Sequence, residues 1–143
     1  MIMTNFIRSK KGSAGIEFGI LAPVLIIMLI GIIYFGFIIK STVQMQNAVE
    51  AGALYAIGNS ADTSGIQSVV QNATTLSGIT VTISTYCECA NGVRPACNAT
   101  CGDGSNLAPY TQVQGQKTIP GISVFPGMTN NWVITKTSTM RTG

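Results

Sequence analysis

The chain has 143 residues, room for one small domain, and only 9% of them are charged, far below the roughly 25% of ordinary soluble domains. The formal net charge of +3 resides in Arg8, Lys10, Lys11 and Lys40, offset by Glu17. Beyond Lys40, the cations Arg94, Lys117, Lys136 and Arg141 balance the acids Glu50, Asp62, Glu88 and Asp103, which leaves no basic face for nucleic acid.

The apolar excess is concentrated near the N-terminus. Residues 18–39 carry no charge, and as a helix rising about 1.5 Å per residue they measure roughly 33 Å, enough to cross a hydrocarbon core of about 30 Å. Arg8, Lys10 and Lys11 precede this span and Lys40 alone follows it at once, so the positive-inside rule places the N-terminus in the cytoplasm. The run is too long for the core of a cleavable secretory signal, and the nearest A-x-A, residues 51–53, lies well past it. A plain signal anchor explains the flank and the run but not Glu17, a carboxylate at the edge of the membrane-length segment. Its bland explanation is an acid favoured at a helix start by the macrodipole. Gly15 and Gly19 form a G-x-x-x-G, a weak signal for close helix approach, and Pro23 removes a backbone donor one third of the way along.

The helix is expected to continue beyond the membrane, from about residue 14 to residue 57. Met45, Ala48, Val49, Gly52, Ala53 and Ala56 recur at helical spacing, a narrow stripe of mostly small side chains suited to packing on the chain's own globular part or on another subunit. Gly58 and Asn59 supply a stop signal. Ile66, Val69, Val70 and Ala73 then predict a short second helix, with Asp62 or Ser64 available as its cap. Residues 79–84 alternate so that Ile79, Val81 and Ile83 line one strand face, and residues 132–138 read as a second strand. Pro120-Gly121 and Pro126-Gly127 mark turns, and residues 117–128 read as irregular or as a weak hairpin. The fold class is α+β: a long transmembrane helix extending into a small head with a short antiparallel sheet. So few large apolar residues call for reinforcement.

Cys87, Cys89, Cys97 and Cys101 can supply it. The spacing lacks the paired C-x₂-C of common zinc ribbons, and an extracytoplasmic location favours disulfides, so no metal site and no cofactor is expected. A redox-active C-x-C lacks the usual C-x-x-C and its helix. Cys87 and Cys89 share one face of an extended strand and do not meet. The nested pairing, Cys89 with Cys97 inside Cys87 with Cys101, suits a hairpin; the interleaved pairing stays open. An enzymatic reading finds little support: there is no histidine, which removes Ser-His and Cys-His pairs, Glu88 and Asp103 alone are ordinary loop carboxylates, and no glycine loop leads into a helix to cradle phosphate.

The stretch KKGSAGIEFGILAP, residues 10–23, resembles the processing site of type IV pilin-like precursors, and more closely that of TadE-like minor pilins, or pseudopilins, of the tight adherence (Tad/Flp) system. There G-x-x-x-x-E-F is followed by a proline six residues after the glutamate, and Gly12, Glu17, Phe18 and Pro23 fall in those places. Residues 45–56 resemble the family's QNAAREGARYA-type segment, and Thr139 to Arg141 its C-terminal ending. The resemblance implies a basic leader, residues 1–12, removed after Gly12 by a cytoplasmic-side prepilin peptidase to leave Ser13 as the first mature residue. Ser13 departs from the aromatic residue usual in classical type IV pilins. A long helix over 13–58 and a periplasmic head over 59–143 would follow, pilin-like in arrangement. The implied partners are the prepilin peptidase, other pilins of the same system, an inner-membrane assembly platform and the bilayer. Glu17 is then expected to meet the new ammonium of Ser13, within one chain or between packed subunits, and Pro23 to loosen the helix during extraction. The resemblance implies a bacterial source, in which the sequon matches at Asn72 and Asn98 would be incidental. Two other readings are a major fibre-forming pilin, against which the long head argues, and an uncleaved bitopic protein whose cysteine-rich domain binds a partner.

Overall fold

The computed structural model describes residues 13–121 and 130–143. The leader residues Arg8, Lys10, Lys11 and Gly12, and the turn expected at Pro126-Gly127, lie outside the described residues. The elements in chain order are α1 (Ser13–Gly58), α2 (Thr63–Asn72), β1 (Thr80–Glu88), β2 (Ala108–Ile119) and β3 (Trp132–Arg141). The chain divides into two compact units, the first ending at Phe37 and the second running from Ile38 to Gly143.

In the first unit α1 is apolar all round. Phe18 and Ile32 are each more than two-thirds exposed on one side of the helix and Ile20 equally so on the opposite side, while Val24 and Phe37 stand out from the sides between. In water such exposure would be strongly unfavourable, whereas in hydrocarbon it satisfies both the side chains and an internally hydrogen-bonded backbone. The helix is long and apolar enough to cross a membrane, which points to membrane anchoring. Pro23 lies inside it and takes away the N–H that would bond the carbonyl of Gly19.

The second unit is the head. The small-residue stripe packs on the chain's own head: Met45, Ala48, Val49, Ala53 and Ala56 are fully buried, together with Ile66 and Val70 of α2 and Val113 of β2. Small residues on α1 set how close the layers come. A Cβ on Gly52 would lie 2.3 Å from Val70 Cγ2, and one on Gly115 would lie 2.8 Å from Val49 Cγ2, both inside van der Waals contact. Glycine at these two places allows α1 to press on α2 and on the centre of β2.

α2 starts where expected, with Asp62 as N-cap accepting from the Gly65 N–H at 2.8 Å. The sheet is an antiparallel meander in the order β1-β2-β3. Ile79, Val81 and Ile83 pack against the core as the alternation predicted. The strand at 132–138 extends to Arg141, so the family-like ending Thr139 to Arg141 is strand.

The central strand β2 corrects the sequence reading. Residues 117–119, expected to be irregular or part of a weak hairpin, end a 12-residue strand paired on both edges. Its inward positions are Thr111, Val113, Gly115, Lys117 and Ile119, too mixed to read as an apolar face. Lys117 reaches out of the layer to donate to the Ser77 carbonyl, keeping its stem packed and its charge at the surface.

Candidate functional site

Two regions carry the candidate residues. In the N-terminal one, Ser13 opens α1, and Glu17, Phe18 and Pro23 follow on its first turns. Glu17 and Phe18 are exposed, as is Pro23, so this face is open to a membrane or to a neighbouring helix. Ser13 and Glu17 are four residues apart along α1. Gly15 and Gly19 have open space where a Cβ would stand, which leaves room for the close approach that a small-x-x-x-small pair permits.

The second region is the corner of the head beyond β1. Two disulfides close it, Cys87 with Cys97 and Cys89 with Cys101. The expected nested pairing is thereby corrected to the interleaved one. Nesting needs one hairpin reversal, but the chain turns twice: once at Cys89, where the Gly92 N–H reaches the Cys89 carbonyl and the Cys89 N–H reaches Val93, and again where the Ala99 N–H bonds the Ala96 carbonyl. Cys97 sits within the second turn and Cys101 beyond it, and the first cysteine meets the third and the second meets the fourth. Cys89, Cys101 and Asp103 lie close together, but the two sulfurs are bonded to each other, which removes the thiolates a metal requires.

Around this corner stands a polar and aromatic cluster that the sequence reading did not single out. Tyr86 and Tyr110 face each other across β1 and β2 and stack at 5.6 Å with an interplanar angle of 17°. The Arg94 guanidinium sits 4.2 Å from the Tyr86 ring centroid and donates from Nε to Glu88 at 2.7 Å. That bond holds the Arg94 pKa above its ordinary value. On the other side of the corner, Ser105 donates to Asp103 from its hydroxyl and its backbone N–H, which lowers the Asp103 pKa. Glu88, Tyr110, Arg141, Ser105 and Asn106 line a pocket of about 340 Å³ beside the Cys89 disulfide. The one signal for it in the sequence is the placing of Tyr86 and Glu88 on the same strand face around Cys87; its partners Tyr110 and Arg141 required knowledge of the β2 register.

No curated protein and no solved structure matches the chain. A family model described as TadE-like protein matches residues 12–54. The match begins at Gly12, takes in Glu17, Phe18, Pro23 and the apolar span, and ends within the part of α1 that is buried in the head. Over residues 12–54, about a third of its length, the chain is therefore similar to TadE-like proteins.

Proposed function

We propose that the protein is a structural, noncatalytic minor pilin or pseudopilin that takes part in assembling a tight adherence pilus. The observation that carries this reading is the coincidence, within the TadE-like segment, of an all-round apolar helix with one acid, Glu17, four residues after Ser13. A prepilin peptidase cleaves after Gly12 on the cytoplasmic side, where the cations Arg8, Lys10 and Lys11 hold the leader. The helix then stays anchored in the bacterial inner membrane with the head on the periplasmic side. Disulfides are at home there, and the head's two bonds support that location. Other pilins and the inner-membrane assembly platform are the partners.

Glu17 fixes register in this account. A carboxylate within a membrane span costs about 2.5–3.5 kcal/mol near the centre, so it stays at an interface or meets a cation. The Ser13 ammonium of the same or a neighbouring subunit is that cation. The test compares Glu17→Gln with the parent at equal membrane abundance, measuring the amount of chain in the sheared pilus fraction and the number of pili per cell. The expected result is a fall of about tenfold or more, corresponding to about 1.4 kcal/mol of lost pairing. Parental levels of both would remove Glu17 from assembly.

A further inference from the structure

We propose that the head binds a neutral polysaccharide, one sugar ring of which sits in the pocket beside Tyr110 while its neighbours run along the outer face of the sheet. In the outward-facing rows, Thr82, Gln114 and Thr137 stand side by side, and next to them Ser84, Gln112 and Thr139. The second row is joined by side-chain bonds, Ser84 to Gln112 and Gln112 to Thr139, each at 3.4 Å. Hydroxyls and amides therefore repeat about 4.8 Å across the strands and about 6.8 Å along them in two rows that carry no charge. Such groups both donate and accept, as sugar hydroxyls do.

The pocket supplies the anchor at one end of this face. Tyr110, whose ring stacks on Tyr86, is one of the residues lining it, together with the polar side chains of Glu88, Ser105, Asn106 and Arg141. The apolar C–H face of a pyranose fits against such a ring. Glu88 accepts from sugar hydroxyls and Arg141 donates to them, both by charge-assisted bonds. Each is already held in place, Glu88 by Arg94 and Arg141 by its Nε bond to the Gly143 carbonyl at 2.8 Å. The charges around the pocket, Glu88 and Asp103 against Arg94 and Arg141, cancel, and this selects a neutral chain over a polyanion. With threonine, serine and glutamine in the rows next to the pocket, the face offers hydrogen-bonding rows where a protein partner would need apolar anchors. The pocket belongs to the head whether or not the chain enters a pilus.

The test uses the full chain in lipid nanodiscs free of glycolipid and titrates it calorimetrically with neutral hexasaccharides of glucose, mannose, galactose and N-acetylglucosamine, and with hexagalacturonate. At least one neutral hexasaccharide is expected to bind, with hexagalacturonate at least about tenfold weaker. Tyr110→Ala is expected to weaken binding about tenfold, the loss of one stacked ring contact. Gln112→Ala, a change on the outer face away from the core, is expected to weaken it several-fold with the circular dichroism and the absence of free thiols unchanged. This second variant decides the matter if Tyr110→Ala fails to fold. The proposal is overturned if none of the neutral hexasaccharides binds, if hexagalacturonate binds as well as they do, or if Gln112→Ala in folded protein leaves affinity unchanged.

Discussion

Gly52 sits where α1 crosses α2, and adding one methyl group there sets two known effects against each other. A Cβ at this position would lie 2.3 Å from Val70 Cγ2, with Val113 Cγ1 at 3.5 Å and Ile66 Cγ2 at 3.6 Å. Ordinary carbon contacts begin near about 3.5 Å, so only the Val70 contact is a clash. Val70 is fully buried and stiff at χ1, and cannot swing away. Overpacking of this kind costs about 1–3 kcal/mol, while alanine in place of glycine in a helix interior returns about 1 kcal/mol. Gly52→Ala is therefore expected to destabilise the head by about 0–2 kcal/mol. Val70→Ala alone loses about 1.5–3 kcal/mol of burial, but in the double variant the new methyl fills part of the vacated space. The pair should be less destabilised than the sum by about 1–2 kcal/mol. Denaturant unfolding in micelles, followed by the fluorescence of the single tryptophan, Trp132 on β3, measures all four proteins. A Gly52→Ala variant stabilised by the full helix propensity and additive with Val70→Ala would show that α1 does not press on α2 as described.

The interleaved disulfides predict thiol counts: Cys87→Ser with Cys97→Ser leaves no free thiol, whereas Cys87→Ser with Cys101→Ser leaves Cys89 and Cys97 reactive toward a thiol reagent in folded protein. The loops closed span 10 and 12 residues, and by chain entropy losing either bond costs roughly 3 kcal/mol, read by the same unfolding assay. The Asp62 cap predicts a dependence on acid. The Gly65 N–H and the Ser64 hydroxyl, with a further bond from Tyr55, hold the Asp62 pKa below its ordinary value of 3.8. Its contribution is thus present in full above that ordinary value and lost as pH falls through the lower folded one. Asp62→Asn keeps a capping oxygen, so the protection of the α2 amides, the exchange rate divided into its intrinsic value at each pH, should depend less on pH between about 2 and 5 than in the parent; an unchanged dependence would exclude the cap as its source.

The long helix was legible because two patterns at helical spacing meet in it, an uncharged membrane-length run and then a stripe from Met45 to Ala56, although what the stripe packs on was left open between the head and another subunit. The start of α2, with Asp62 or Ser64 as its cap, and the alternation of Ile79, Val81 and Ile83 were legible because local chemistry decides them; the structure chooses Asp62. β2 was not. Its inward face mixes Thr111, Gly115 and Lys117 with only two large aliphatics, because glycine makes way for α1 and lysine escapes to Ser77. Without β2 the register that places Tyr110 beside Tyr86 and Arg141 was out of reach, and with it the pocket. The disulfide pairing failed on a turn within Ala96 to Ala99, which carries neither glycine nor proline and so gave no sign of a second reversal.

The central claim is that the TadE-like segment is processed and used as a pilin start. The measurement that tests it most directly is the N-terminal sequence, by mass spectrometry, of the chain extracted from membranes with and without its prepilin peptidase. Onset at Ser13 that depends on the peptidase is the predicted result. A chain that keeps residues 1–12 beside a peptidase active on another substrate would contradict it and make the protein an uncleaved membrane anchor for the disulfide-linked head.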